Sequence, residues 1–473
     1  MRICLICEGS YPYVTGGVST WVHILIKKMP EHEFVLYCIG AEEKFRGKFN
    51  YKLCKNVVEV KEMFLDNILK EQGYMKSNYN MPDEQKNNIE NLVIGGDVDF
   101  YKLYDFFRDE SMKCISDFFM SRDFFNITVR CYEKKYAGLP FTEFFWAVRS
   151  MLLPLFYIIN SEIPKADVYH SVSTGYAGVV GGLASKIYNK PFIITEHGIY
   201  TREREEEIIK SKWVKGYLKD MWIEFFYTLS KCSYNYAAKV ITLFGKNKQI
   251  EMELGCPENK ISIIKNGIDI EEFSKLPAEG KNENCGSINI ASVLRVVPIK
   301  DVKTMLQSFL IVSYEIKNCN FYIIGPTDED EEYYEECLKL ARELKITNLF
   351  FTGRVDVKDY MGKIDIMVLS SISEGQPLAM LEGMACKKPF VTTNVGSCSE
   401  LIYGTDDNYG SAGIVVPVMN YVKMGQAIIK LCKDEKLRKQ MGENGFKRVS
   451  NEYTMENVIN SYKNIYKKYG VMK

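Results

Sequence analysis

The string SEGQPLAMLEGMA, Ser373 to Ala385, follows the apolar run DIMVLSS and holds two carboxylates eight residues apart, Glu374 and Glu382. Pro377 has the fixed φ that suits a first helical turn. Glu374 is therefore expected in a loop above a sheet, with Glu382 about one and a half turns into the following helix. The amides of Gly375, Gln376, Leu378 and Ala379 would gather at that helix start, where the partial positive charge suits a phosphate. Pro377 has no N–H to add. A carboxylate accepts from two hydroxyls at once, so the two glutamates fit a ribose diol at one end and a sugar at the other. Taken alone, the pair fits two solvated glutamates on a surface helix even better.

Three further strings share the same position, the end of an apolar run. In SVLRVVPIKD, Arg295 and Lys300 stand five apart before Asp301, a plausible helix N-cap. Two cations converging there neutralise a diphosphate, Arg295 by its fork and Lys300 as a point charge; the plain alternative is a solubilising loop. In EGSYPYVTGGV, Gly16 and Gly17 allow close approach of a backbone to a phosphate or sugar. This is not the GxGxxG of a dinucleotide site. In TEHGIYTRER, His197 ends the run FIITEH and is one of four histidines. Its place moves it from a structural reading to an even choice, whereas His23, His32 and His170 read as structural.

These strings need elements to carry them. Short apolar or β-branched runs alternate with helical patterns along most of the chain, the pattern of parallel α/β units. RICLIC, FVLYCI, DVYHSV, FIITEH, KVITLF and ISIIKN form one strand series, and SINIASVL, NFYIIG, NLFFTG, DIMVLSS and PFVTTN a second. The fold class is α/β with two doubly wound parallel sheets. KLPAEGKNENCGS, Lys275 to Ser287, is the linker candidate between them. The domains read as 1–280, with a helical insertion at about 51–164, and 281–454. Residues 455–473 read as an amphipathic terminal helix. In the insertion, aromatic residues at helical spacing read as core before partner surface.

The chain has 473 residues, which suggests two large domains or roughly three smaller ones. Sixty-one basic residues balance sixty-one acidic ones, which argues against a nucleic-acid partner. The N-terminus MRICLIC reads as a buried strand rather than a secretion signal, so the fourteen cysteines point to a reducing cytoplasm. Cys4 and Cys7 read as strand residues rather than a metal or redox pair. The apolar run near MLLPLFYII is too short to span a bilayer. Asp97 to Asp99, the lone DxD, reads as a turn, and no metal site is expected.

The loop at Gly16 and Gly17, EHG at Glu196 to Gly198, KNGID at Lys265 to Asp269, R-x4-K at Arg295 and Lys300, and E-x7-E at Glu374 and Glu382 occur together in one order. With them the chain resembles the retaining glycosyltransferases of family 4, with the GT-B fold, over nearly all of its length except the insertion. EGSYPYVTGGVSTWV, TEHGIYTREREEEI and EGQPLAMLEGMA are similar to the cytosolic glycosyltransferases, the F component, of Pel-type exopolysaccharide synthesis.

The resemblance implies two Rossmann-like domains facing across a cleft, a UDP-sugar donor held mainly by the second and a polysaccharide acceptor mainly by the first. Glu382 would hold the ribose, and Arg295 and Lys300 the diphosphate. Glu374 and the amides of Gly375, Gln376, Leu378 and Ala379 would hold the hexose. His197 would face the sugar from the opposite wall, and Gly16 and Gly17 would close on the phosphates. It also implies a terminal helix packed back on the first domain, retention by same-face attack, no cofactor or metal, and a membrane-embedded export and synthesis complex as partner. The location implied is cytoplasmic, peripheral at the inner face of the membrane. Two other readings stay open: a UDP-sugar-binding assembly or regulatory subunit without turnover, and a nucleotide-sugar epimerase on the same fold.

Overall fold

The computed structural model of the protein describes residues 1–70, 79–108, 115–276, 287–405 and 407–470. The chain divides into two compact units: Met1–Thr242 with Asn247–Ile263 and Ser461–Lys473, and Leu243–Lys246 with Ile264–Asn460. Of the linker candidate, residues 277–286 lie outside the described residues.

The first unit is built on a seven-stranded sheet in the order β3-β2-β1-β4-β5-β6-β7. Its strands are β1 (Arg2–Glu8), β2 (Glu33–Gly40), β3 (Val57–Phe64), β4 (Val168–Ser171), β5 (Phe192–Glu196), β6 (Lys239–Thr242) and β7 (Ile261–Ile263). Every pair is parallel. The central strands are buried on both faces, which is why RICLIC and FVLYCI read as continuous apolar runs rather than alternating ones. Cys4 and Cys7 are both buried in β1, where burial raises their thiol pKa values.

The helical reading of residues 51–164 is corrected at its start, because Val57–Phe64 is a strand at the sheet edge. Glu59, Lys61 and Glu62 put charges on both sides of this edge strand, which breaks up the apolar run that marks an interior one. Beyond it the described residues carry the helices Asp83–Ile94, Phe100–Phe107, Arg122–Cys131 and Phe141–Ile159. Their aromatic residues meet as a core, with ring centroids 4.5 Å apart for Phe107 and Phe156 and 4.8 Å for Phe119 and Phe124. Asp99 caps the helix Phe100–Phe107, accepting from the amides of Tyr101 and Lys102, while Asp97 pairs with Lys231 at 3.0 Å.

The second unit holds a six-stranded parallel sheet in the order β10-β9-β8-β11-β12-β13. These strands are β8 (Ile288–Val293), β9 (Cys319–Ile324), β10 (Leu349–Gly353), β11 (Ile366–Leu369), β12 (Phe390–Thr393) and β13 (Gly413–Val416). In both sheets the winding reverses beside the first strand, between β1 and β4 and between β8 and β11. Open parallel sheets bind ligands at such reversals, outside the carboxyl ends of the strands, because the loops there diverge and leave a crevice.

The chain's last helix is Met455–Gly470, and from Ser461 onward it belongs to the first unit. There Tyr466 Oη lies 2.6 Å from His170 Nδ1, and Tyr462 Oη lies 3.1 Å from Thr195 Oγ1. His170 Nε2 is bonded to Thr195 Oγ1 at 2.8 Å, so both ring nitrogens are engaged inside the core and burial lowers its pKa to about 3.

Candidate active site

In the second unit, Arg295 and Lys300 lie in the loop after β8, and Glu374, Gly375 and Gln376 in the loop after β11. These are the two loops of the β8/β11 reversal. Ser370 Oγ donates to the carbonyls of Lys300 at 2.8 Å and Asp301 at 2.9 Å, and the Ile372 amide donates to the Ile299 carbonyl at 2.9 Å. Asp301 ends the first loop with φ 47° and caps the helix Val302–Glu315 by accepting from the Thr304 amide at 3.3 Å. The Lys300 backbone is thereby fixed to the neighbouring loop and to a helix start.

The side chains follow. Lys300 Nζ donates to Glu374 Oε1 at 2.5 Å, and Ser371 Oγ donates to the same oxygen at 2.5 Å. The end of β12 and the loop after it hold the main chain on either side of Glu374: Thr393 Oγ1 donates to the Ser371 carbonyl at 2.6 Å and the Ser397 amide to the Gly375 carbonyl at 3.0 Å. Gly396 makes the approach possible, since it adopts φ 50° and a Cβ there would lie 2.2 Å from the Glu374 carbonyl oxygen.

Arg295 leaves the same loop as Lys300 but takes a different partner, Glu329, at 2.6 Å on the surface. The two cations do not share a carboxylate. Gln376 is buried, and its Oε1 accepts from the Asn266 amide of the KNGID string, which fixes the side chain and leaves its Nε2 donors and its main chain for a ligand. The helix Leu378–Ala385 follows Pro377, and no side chain caps it. The first-turn amides of Leu378 and Ala379 therefore have no intrahelical acceptor. Glu382, one turn on, is half-buried. Burial raises its carboxyl pKa, the Glu272 charge adds to this, and Lys358 opposes it. Lys358 is itself paired with Glu272, and no described residue donates to the Glu382 carboxylate.

In the first unit, Gly16 and Gly17 stand at the start of the helix Gly17–Lys27, which has no side-chain cap. Gly16 has φ 171°, extended backbone open to any residue, and a Cβ at either glycine would meet nothing within 4 Å. What the glycines provide is bare, exposed backbone at a helix N-terminus. His197 follows β5 and meets Trp21 edge to face, with centroids 4.6 Å apart. Its Nε2 is buried without a partner among the described residues, and burial lowers its pKa to about 4, so the ring is neutral with that nitrogen unengaged.

Around His197 the structure adds residues whose roles the spacing did not suggest. Glu196 accepts from the Tyr200 amide at 3.1 Å and from Tyr234 Oη at 2.5 Å, which anchors the strand end before His197. Glu8, at the end of β1, accepts from Tyr200 Oη at 2.8 Å and from the Ala177 amide at 3.2 Å. The Arg204 guanidinium lies 3.6 Å from Glu8. Gly175, at φ 65°, leaves room for the Tyr200 ring, because a Cβ there would lie 2.1 Å from it. A carboxylate directly after a buried strand was the one available signal for Glu8; for Ser371 and Gly396 there was only their place after a strand. Among the described residues no group of three or more His, Cys, Asp and Glu side chains is arranged to hold a metal ion.

Residues 1–259 match the family described as Domain of unknown function (DUF3492), and residues 278–448 match Glycosyl transferases group 1. The chain is 26% identical over 328 residues to an Escherichia coli UDP-Gal:alpha-D-GlcNAc-diphosphoundecaprenol alpha-1,3-galactosyltransferase, covering 67% of this chain and 78% of that one. It is 25% identical over 324 residues to the Staphylococcus aureus capsular polysaccharide biosynthesis glycosyltransferase CapM, covering 66% and 76%. Among solved structures it matches Anabaena HepE in complex with UDP at a TM-score of 0.62, with 14% identity over 99% of this chain and 100% of that one. The chain belongs to the family described as Domain of unknown function (DUF3492), and it is a glycosyltransferase with the GT-B fold.

Proposed function

We propose that the protein transfers a hexosyl or N-acetylhexosaminyl unit from a UDP-sugar to a growing exopolysaccharide of the Pel type, with retention at the anomeric carbon. The observation that carries this reading is the Lys300–Glu374–Ser371 cluster at the β8/β11 reversal, beside the uncapped start of the helix Leu378–Ala385. Cleaving the bond between sugar and diphosphate leaves negative charge on the departing UDP. Lys300 has three N–H donors and spends one on Glu374, so two remain for phosphate oxygens. With Arg295 and the amides of Leu378 and Ala379 they form a preorganised electrostatic sink for that charge, and transfer proceeds without a divalent ion or cofactor.

Glu382, whose carboxylate has no donor among the described residues, takes the ribose hydroxyls. Glu374, with Gly375, takes hydroxyls of the hexose. In the first unit, His197 offers a neutral ring with a free Nε2 to the transferred sugar, and the backbone at Gly16 and Gly17 serves phosphate or sugar. Glu374 is held by Lys300 and Ser371, and Glu382 is given to the ribose rather than to the anomeric carbon, so neither carboxylate is an obvious covalent nucleophile, which supports direct attack by the acceptor hydroxyl on the face that the diphosphate leaves. Uridine as the base is supported by the Escherichia coli relative, whose name specifies UDP-Gal. A membrane-embedded synthesis and export complex is the proposed partner, with the protein at the inner face of the membrane.

The test is incubation with a panel of UDP-, ADP- and GDP-sugars in EDTA, reading melting temperature and released nucleoside diphosphate. Stabilisation and turnover with a UDP-sugar alone are expected. Equal response to ADP- and GDP-sugars, or loss of all response on chelation, overturns the reading.

A further inference from the structure

Between the helices Tyr200–Lys210 and Lys219–Tyr236 of the first unit runs the string IIKSKWVKGYLK, Ile208 to Lys219. It carries Lys210, Lys212, Lys215 and Lys219 and no acidic residue. Ile208, Val214 and Leu218 are buried, while Ile209, Trp213 and Tyr217 are 57%, 68% and 45% exposed. The inward residues anchor the segment, so the outward ones are displayed rather than stranded.

The segment is also pinned. Lys219 Nζ donates to the carbonyls of Ile209 and Ser211, and Ser211 Oγ donates to the Ile208 carbonyl at 2.8 Å. Trp213 stands edge-on to Trp222, with centroids 5.1 Å apart. Lys215 is paired with Glu143 of the helix Phe141–Ile159. On that helix Trp146 is 48% exposed, with the Arg149 guanidinium 5.6 Å from its ring. The display thus continues onto the insertion, as rings with cations at their margins.

We propose that this surface docks on an anionic lipid bilayer. Indole and phenol rings pair an apolar body with a polar tip and settle at the lipid–water boundary, while lysine ammonium groups reach the phosphate layer. Lys210 and Lys215 are partly neutralised by Glu206 and Glu143, whereas Lys212 has no carboxylate partner among the described residues and is the cation most available to a headgroup. A second copy of the chain fits less well, because a two-fold contact would bring this lysine-rich patch against the same patch of the other copy. Docking here rests on the proposed place at the inner face of the membrane but needs no substrate, so its failure leaves the proposed sugar transfer standing.

The test is cosedimentation of the full chain with vesicles of phosphatidylcholine alone or mixed with phosphatidylglycerol. Binding to the mixed vesicles is expected, with a blue shift of tryptophan emission and release at high salt. Lys212→Glu reverses one charge and is expected to weaken binding roughly tenfold or more, and Trp213→Ser to remove most of the blue shift. Both changes lie at exposed positions, and an unaltered melting temperature shows that each variant is folded. Equal binding to neutral vesicles, no binding to either, or wild-type binding by both variants overturns the proposal. So does a concentration-dependent dimer that Trp213→Ser dissolves, which makes the surface a contact between copies.

Discussion

Lys300 and Glu374, seventy-four residues apart, meet in a 2.5 Å hydrogen bond between Nζ and Oε1 at the β8/β11 reversal. The cation proposed for phosphate and the carboxylate proposed for the sugar are thus coupled to each other. Glu374→Ala removes a competing anion beside Lys300, so UDP is expected to bind as tightly as before or more tightly while turnover falls. Lys300→Ala is expected to weaken UDP. Calorimetric affinity beside turnover checks both, and the coupling is refuted if Glu374→Ala loses UDP.

Glu382 separates from that pair, since the charges acting on it are Glu272 and Lys358. Removing charge-assisted bonds to a ribose diol costs about 1.5 to 3 kcal/mol, so Glu382→Ala is expected to bind UDP roughly tenfold or more weakly. His197→Ala is expected to keep UDP affinity and lose turnover. Full turnover in both variants would remove these residues from the site.

A second carboxyl pair sets a pH dependence. Glu196 and Glu251 are buried, and Glu251 has both oxygens without partners among the described residues, as has Thr242 Oγ1 beside it. Burial raises both carboxyls above their ordinary 4.5, more for Glu251, and the charge of Glu196 raises Glu251 further. Tyr200 and Glu203 face Glu196 from one helix, Tyr234 from another, and Cys256 faces both carboxyls. With folded pKa values above unfolded ones, the folded chain holds more protons from about pH 4.5 upward, and stability falls as pH rises through neutrality. Glu251→Gln is expected to flatten the melting temperature between about pH 5 and pH 8 and to raise it at the upper end. An unchanged slope in this variant would show that the pair does not set it.

The second unit depends on Arg448, which is fully buried. Its guanidinium binds Asp407 twice, at 2.6 and 2.8 Å, and donates to the carbonyls of Leu401, Ile402 and Gly410. Asp407→Ala leaves the cation unpaired and is expected to cost about 3 to 5 kcal/mol, read as a lower melting transition. The Arg448 hydrogen bond holds the Asp407 carboxyl below its ordinary 3.8, so this contribution is present above that pH and lost as pH falls through the folded value. A melting temperature within a degree or so of wild type would show that Asp407 is dispensable.

What the sequence determined by itself is local. Apolar runs separated by helical spacing specify two parallel-sheet units, because strands buried on both faces must be continuously apolar. Pro377 before the helix Leu378–Ala385, and Asp301 before Val302–Glu315, mark helix starts through φ and a side-chain acceptor within three residues. The strands that this reading missed, β3 and β13, are both at sheet edges, where one side needs no neighbour and four residues suffice for β13. Only the tertiary structure decided which charges meet. Lys300 takes Glu374 while Arg295 takes Glu329, and Tyr200 reaches Glu8 across 192 positions and His170 reaches Tyr466 across 296. Such partners are set by strand order and by loops that diverge at the reversals, and at separations of this size the spacing along the chain sets only a loose upper bound on distance through space.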